Sequence, residues 1–236
     1  MSATEPSLRI GIFGPDGAAS DERHGCGLWA AGYRSVITAA GAAPVPLGET
    51  ARGRAWDDIL DGIDGVVLSA NPAPTPKQAA DAEALCRWCD KHGLPLLAID
   101  TGLHLLNAAY GGTLFADLPR ELPEALQHRH PPEKGLRHAI AVAPGSRMAD
   151  LYGDGEVIVN SEHRKALQKV GRGFRVGARA LDGVVEAIEA ERDGWFCVGV
   201  QWQPASATAS GLDIQLFRGL VEASQRRVED GVCAAA

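Results

Sequence analysis

Short apolar runs alternate with helical patterns through the first half of this 236-residue chain. Residues 8–13 have the composition of a buried strand, and residues 28–40 have helical spacing that ends at Gly41. The alternation continues with a helix predicted over 77–92 and a strand predicted over 95–99. Strands separated by helices pair in parallel, so the pattern predicts an α/β fold with a central, mostly parallel sheet covered by helices on both faces.

The second half of the chain has apolar runs spaced like hairpins. Asp182-Gly183 lies between two of these runs and is a hairpin turn signal. An amphipathic helix is predicted over 212–228, and residues 231–236 are predicted to form a flexible tail. No linker divides the chain, which predicts a single domain over residues 1–236. The strands predicted in this half are 138–142, 156–159, 174–180, 184–188 and 195–200.

Composition narrows the classes of partner. The chain is 45% hydrophobic and 22% charged, with a net charge of −7, and it has no basic face for nucleic acid or an anionic membrane. No apolar run approaches the roughly 20 residues that span a bilayer, and the N-terminus does not resemble a signal peptide. Five scattered cysteines fit a reducing compartment. We therefore expect a cytoplasmic protein with a small-molecule ligand, no cofactor and a possible homodimeric state.

Two cysteines look at first like half of a zinc or redox site. Cys86 and Cys89 lie three residues apart inside a predicted helix, and no second pair accompanies them. Because a structural zinc site needs four ligands, two buried thiols on a helix are the better interpretation. Cys197 lies in a predicted strand and is expected to be inert.

Asp100 directly follows the predicted strand 95–99, and Gly102 permits a tight turn into the next helix. Ligands of parallel sheets bind at the carboxyl ends of strands, and a side chain on such a turn lies beside the free N–H groups of a helix. One interpretation of Asp100 is a helix N-cap. The other is a carboxylate that acts as nucleophile or general base.

The stretch from Leu94 to Asn107, LPLLAIDTGLHLLN, resembles the strand-turn-helix of the class I glutamine amidotransferase-like hydrolases. The similarity is closest to their peptidase C26 branch, the γ-glutamyl-γ-aminobutyrate hydrolases, and it implies a flavodoxin-like sheet. Further similar segments follow in the family's order along nearly the whole chain: 111–114, 117–119, His130, His138, 145–146, 159–163, 182–189 and 199–204.

The resemblance also implies that the family's catalytic residues are replaced. The family has its nucleophilic cysteine at the position of Asp100, its histidine at that of Gln203 and its glutamate at that of Ala205. Its arginine and glutamine correspond to Thr101 and His104. Since a triad acts as a unit, hydrolysis by the family's cysteine mechanism is not expected.

We predict three catalytic residues, Asp100, His104 and His163. Asp100 and His104 are four residues apart, so they share one face of a helical turn and could form an acid–base pair. With His163 they could instead bind a metal as two histidines and one carboxylate. By resemblance, the substrate-binding residues are Ala70 and Asn71, which replace the glycine pair that shapes the family's oxyanion site, together with Thr101, His130, Asn160, Ser161 and Gln203.

Three functions remain open from the sequence. The first is an enzyme that acts on a small γ-glutamyl-type amide or a related amino-acid derivative, with Asp100 in place of the cysteine nucleophile. The second is a catalytically inactive protein that binds a γ-glutamyl-like ligand or a partner protein. The third is a metal-dependent enzyme that uses Asp100, His104 and His163.

Overall fold

The computed structural model describes residues 8–14, 27–47, 55–70, 73–129 and 135–235. Strands and helices alternate through the first half, and strands predominate in the second half. Within these ranges the elements are β1 Arg9–Phe13, α1 Gly27–Ala39, β2 Ala43–Pro46, α2 Trp56–Ile59, β3 Gly65–Leu68, α3 Pro76–His92, β4 Leu96–Ile99, α4 Thr101–Ala109, β5 Thr113–Phe115, α5 Leu118–Glu121, β6 Arg137–Val142, α6 Arg147–Tyr152, β7 Gly155–Asn160, β8 Ala166–Lys169, β9 Phe174–Ala180, β10 Val185–Ala190, β11 Cys197–Val200 and α7 Ile214–Ala235.

One mixed sheet organises the fold, in the order β2-β1-β3-β4-β11-β10-β9-β6-β7. The pairs from β2 to β11 are parallel, and those from β11 to β7 are antiparallel. β5 and β8 form a side ribbon, and β8 also pairs with β10. The expected α/β class, with a largely parallel sheet followed by hairpins, is therefore confirmed.

Apolar side chains of the parallel strands point alternately to the two faces of the sheet. On one face, Ile99 of β4 belongs to a core that also includes Tyr33 of α1 and Phe217 of α7. On the other face, Ala98 packs in a second core with Leu85 of α3. Helices therefore cover both faces, which explains why these short strands have almost no polar residues.

α3 shows how clearly local signals define an element. Thr75 accepts a hydrogen bond from the backbone of Gln78, and the Gln78 side chain bonds back to Thr75 in a capping box. The helix ends at Gly93, whose φ of 62° is left-handed. The helix predicted over 77–92 is confirmed, with one further residue, Pro76, at its start.

Several short elements were not predicted, namely α2, α5, α6, β5 and β8. Each has three to six residues, too few for a periodic pattern. The last helix also extends further than predicted. It continues to Ala235, through most of the segment that the sequence predicted to be a flexible tail.

The Cys86 and Cys89 thiols are buried in α3, and burial raises the pKa of Cys86 to about 12. Cys197 is likewise fully buried, and burial raises its pKa. All three are free thiols in the described chain, as expected for core residues. No helix within the described residues is both long and apolar enough to cross a membrane.

Candidate active site

Asp100 lies on a sharp turn between β4 and α4. Its backbone has φ 51° and ψ −112°, and it is the only residue other than glycine with positive φ in the described chain. Such a conformation costs about 1–3 kcal/mol and persists only where the surroundings enforce it. Gly102 is part of that enforcement, because a Cβ there would lie 2.1 Å from the carbonyl oxygen of Leu68. The turn is therefore pressed tightly against β3.

The Asp100 carboxylate does not cap its own helix. Asp100 occupies the N-cap position of α4, but no side-chain capping hydrogen bond forms there, so the expected carboxylate cap is absent. Instead, Oδ1 accepts a hydrogen bond from Nε2 of Gln201 at 3.0 Å, and Oδ2 accepts one from Nε2 of Gln203 at 2.9 Å. The side chain thus points away from the helix, towards the end of β11.

The two glutamines reach Asp100 because β11 is the parallel neighbour of β4, so both strands end at the same edge of the sheet. Gln203 is held at both ends. Its Oε1 accepts a hydrogen bond from the Tyr33 hydroxyl at 3.0 Å, and its backbone N–H donates to Oδ1 of Asn160 at 2.9 Å. Because an ionised carboxylate can only accept, the NH2 end of the Gln203 amide faces Asp100, and the Tyr33 hydroxyl then donates to the oxygen end.

His104 connects to Asp100 through Gln201 rather than directly. Its Nε2 lies 2.9 Å from Oε1 of Gln201, whose Nε2 donates to Asp100. Because Oε1 of Gln201 accepts, Nε2 of His104 is the protonated nitrogen. Burial lowers the pKa of His104, and the charge of Asp100 opposes that effect. The predicted acid–base pair is therefore replaced by a three-residue chain with a neutral amide in the middle.

The arrangement presents a fixed carboxylate at the surface of the site. Gln201 and His104 are buried, whereas Asp100 and Gln203 remain partly exposed. Each Asp100 oxygen accepts one amide hydrogen and retains capacity for another donor. Such a carboxylate can accept a hydrogen bond from a water molecule or from a ligand N–H group, and this binding requires no proton transfer.

The other predicted binding residues have different positions. Thr101 is buried in the first turn of α4, and Ala70 follows β3 and is half-buried. Asn160 also donates to the backbone oxygen of Gln203 at 3.0 Å, and the Ser161 hydroxyl donates to the backbone oxygen of His128 at 2.8 Å. Asn160 and Ser161 thus support the site's framework. Asn71 and His130 lie outside the described residues.

His163 does not join Asp100. It belongs to a buried group with His128, His138 and Glu186, whose ligand atoms lie within 4.8 Å of one another. Within the described residues this is the only such group that could hold a metal ion, and it contains neither Asp100 nor His104. The metal site predicted from Asp100, His104 and His163 is therefore wrong, because His163 faces β10 instead.

Two site residues carried weaker signals in the sequence. Gln201 is not among the predicted site residues, yet it bridges His104 and Asp100. Its spacing of two residues from Gln203, just after a buried strand, was the available signal. Tyr33 lies within the predicted helix 28–40, and nothing local indicated its contact with Gln203.

Comparison with known proteins shows which family this chain resembles. The peptidase C26 family model matches residues 10–205. The γ-glutamyl-γ-aminobutyrate hydrolase of Escherichia coli K12 is 29% identical over 84% of this chain and 87% of its own. A candidate glutamine amidotransferase of Mycobacterium tuberculosis is 37% identical over 66% of this chain, and the match spans about half (48%) of that longer protein.

A solved structure supports the same fold. A candidate GMP synthase component from Thermoplasma acidophilum has a TM-score of 0.69 at 16% identity and matches 97% of this chain and 99% of its own. At that identity the likeness concerns the fold alone, a class I glutamine amidotransferase fold. Since the family match covers most of its length, the chain belongs to the peptidase C26 family of class I glutamine amidotransferase-like hydrolases.

Proposed function

We propose that this protein hydrolyses a small γ-glutamyl-type amide or a related amino-acid derivative, with Asp100 in place of the family's cysteine. The observation that carries the proposal is the conformation of Asp100. Its strained backbone persists although the carboxylate does not cap the helix, and glutamine amides hold both oxygens of this partly exposed residue. The γ-glutamyl preference is carried over from the E. coli relative.

We assign Asp100 the role of general base rather than nucleophile. If a carboxylate attacked an amide carbonyl, the tetrahedral adduct would expel the carboxylate more readily than the much more basic nitrogen. The two N–H donors on Asp100 further reduce its nucleophilicity by stabilising its charge. A base avoids the anhydride altogether, because it needs only a lone pair and an ordered water.

In the proposed reaction, a water bound to Asp100 attacks the scissile carbonyl carbon and forms the new C–O bond. Its proton passes to the Asp100 carboxylate. The protonated Asp100 then delivers that proton to the leaving nitrogen as the C–N bond breaks, which restores the carboxylate and releases the acid and the amine. In this scheme Gln203 does not have to act as a base, and Ala205 does not have to orient one. The reaction therefore does not require a histidine and a glutamate at these two positions.

A second candidate is a non-catalytic protein that binds a γ-glutamyl-like ligand. The observation in its favour is that amide groups, which do not exchange protons in catalysis, occupy both oxygens of Asp100. The one titratable neighbour on this network, His104, is separated from Asp100 by Gln201. Such a site could recognise a ligand without transforming it.

One screen separates the two candidates. The full-length protein would be incubated with γ-glutamyl amides and related amino-acid amides and esters, and amine release and thermal stability would be recorded on the same samples. Turnover supports the hydrolase. Stabilisation without turnover, about 2.7 kcal/mol at a hundredfold excess over Kd, overturns it and supports the binder. An absence of both contradicts a γ-glutamyl pocket.

The screen has a built-in chemical control. Turnover by Asp100 should survive alkylation with iodoacetamide, because no cysteine takes part and the described thiols are buried. Activity abolished by alkylation would point to cysteine chemistry and would contradict the proposal.

A further inference from the structure

Three histidines and one glutamate, which we call the histidine cluster, converge on one point beneath the surface: His128, His138, His163 and Glu186. They come from the segment before β6, from β6, from the segment after β7 and from β10. Their side chains are 0–7% exposed. The mechanism proposed for Asp100 uses none of them.

One ring nitrogen of each histidine is hydrogen-bonded to an acceptor outside the cluster. Nε2 of His128 lies 2.9 Å from Oδ2 of Asp182. Nδ1 of His163 lies 3.0 Å from the backbone oxygen of Lys165, and Nδ1 of His138 lies 3.2 Å from that of Ala139. Carboxylates and carbonyls accept, so these nitrogens carry the hydrogens of the neutral rings.

The remaining nitrogen of each ring therefore has no hydrogen, and its lone pair points into the cluster. These atoms are Nδ1 of His128, Nε2 of His138 and Nε2 of His163. Together with both oxygens of Glu186, they are buried and make no hydrogen bond. Unpaired buried acceptors of this kind are costly, and a ring held by an outer hydrogen bond is the usual arrangement of a metal-binding histidine.

The distances from Glu186 to the three histidines match those around a tetrahedral ion. Oε1 of Glu186 lies 3.3 Å from Nδ1 of His128, 3.3 Å from Nε2 of His163 and 3.5 Å from Nε2 of His138. With metal–ligand bonds of about 2.0–2.1 Å, neighbouring ligands of a tetrahedron are separated by about 3.3–3.4 Å. The three distances from Glu186 thus match the edges of an ion's first coordination shell, and the remaining ligand pairs lie within 4.8 Å of one another.

We propose that the histidine cluster binds one divalent transition-metal ion, with Zn²⁺ as the best match, through three imidazole nitrogens and the Glu186 carboxylate. Imidazole ligands select such ions over Mg²⁺ and Ca²⁺, which prefer oxygen. The four protein ligands fill a tetrahedron, and the site is buried, which is typical of a structural rather than a catalytic zinc.

The proposed ion would support the active site from the neighbouring strand. The backbone N–H of Gln201 donates to the backbone oxygen of Glu186 at 2.8 Å, and Gln201 holds the Asp100 carboxylate. Ser161 ties the segment after β7 to the backbone of His128. An ion that fixes Glu186, His128 and His163 would therefore fix the framework behind Asp100.

The alternative occupant is a proton. An imidazolium in the cluster would also balance the Glu186 charge, and in that case added metal would neither bind nor stabilise the protein. Untagged full-length protein, stripped with a chelator, decides between the two. We would measure zinc content after reconstitution, the visible spectrum on titration with Co²⁺, and the melting temperature with and without each ion.

We expect one equivalent of Zn²⁺, the intense visible bands of tetrahedral Co²⁺ that Zn²⁺ bleaches, and a higher melting temperature with metal. His163→Gln and Glu186→Gln should lose at least tenfold in Co²⁺ affinity, whereas the exposed His92→Gln should match the wild type. If a cluster variant does not fold, the stripped wild-type protein decides alone. Failure of that protein to bind Co²⁺, or binding unchanged in a folded cluster variant, overturns the proposal.

The metal proposal does not depend on the proposed hydrolase activity. Asp100→Asn should bind Co²⁺ like the wild type, since Asp100 lies outside the cluster. If Asp100→Asn abolished Co²⁺ binding, the assignment of the ion to the histidine cluster would be wrong. An Asp100→Asn variant that loses turnover but still binds Co²⁺ would show that the Asp100 site and the histidine cluster are independent.

Discussion

Nε2 of Gln203 donates a 2.9 Å hydrogen bond to Oδ2 of Asp100, across 103 residues of sequence. The bond joins the ends of two parallel strands, and the Tyr33 hydroxyl donates to the oxygen of the same amide. It makes the carboxylate a rigid acceptor, and the group that contacts Oδ2 is an amide rather than a titratable side chain.

Gln203→Glu should destabilise the protein. The change removes the N–H donor and places a second carboxylate within hydrogen-bond distance of Asp100, a contact that costs about 1–3 kcal/mol near neutral pH. Urea denaturation at pH 8 measures it. The control is Gln168→Glu, because Gln168 is exposed and its Oε1 already serves as an acceptor. Equal stabilities for the two variants would refute the close contact.

Gly102→Ala tests how tightly the turn packs. The added Cβ would lie 2.1 Å from the backbone oxygen of Leu68, and backbone cannot yield as a flexible side chain does. We expect a loss of about 2–3 kcal/mol in the free energy of unfolding. Gly211→Ala is the matched control and should be nearly neutral, because no atom lies within 4 Å of the position that its new methyl group would take. A neutral Gly102→Ala would mean that the turn is looser than described.

The strain at Asp100 can be measured with a pair of variants. Asp100→Gly and Asp100→Ala both remove the carboxylate, but only glycine accommodates φ 51° and ψ −112° without steric cost. The glycine variant should be more stable than the alanine variant by about 1–2 kcal/mol in chemical denaturation, while both lack activity. An alanine variant that is equally stable or more stable would show that the turn is unstrained.

His104 should make stability depend on pH. Burial lowers its folded pKa below the ordinary 6.5, so the unfolded chain binds a proton first as the pH falls. This contribution to stability is complete above pH 6.5 and is lost below it, down to the folded pKa, at about 1.4 kcal/mol per pH unit.

His104→Gln removes that titration and keeps an N–H donor for Gln201. Between pH 7 and pH 5.5, the free energy of unfolding should therefore fall less in the variant than in the wild type. Denaturation curves at several pH values test this, with His92→Gln, a change at an exposed histidine, as the reference. Parallel pH profiles for the wild type and His104→Gln would contradict a depressed pKa.

The sequence predicts the elements that carry local signals. α3 has a capping sequence and a terminal glycine, and the position of Asp100 follows from a buried strand before it and Gly102 after it. Short elements such as α6 lack those signals. The contacts of Asp100 are also missing from any local pattern, because Gln201 and Gln203 reach it only through the pairing of β4 with β11.

The histidine cluster illustrates the same limit. Its members span residues 128 to 186 and lie on four separate segments, with no ligand spacing of a known metal motif. The available hint was Glu186, a carboxylate in a strand whose other residues are mostly apolar. Only the antiparallel packing of β6, β7, β9 and β10 brings it near the three rings.

The most direct test of the proposed chemistry is kcat/KM of Asp100→Asn on the best γ-glutamyl substrate of the wild type. Asparagine keeps the size of the side chain but cannot take a proton from water. We predict a loss of at least about a hundredfold, in the range that a general base contributes, with the Co²⁺ spectrum of the histidine cluster unchanged. Activity within twofold of the wild type in a folded Asp100→Asn would contradict the central role of Asp100.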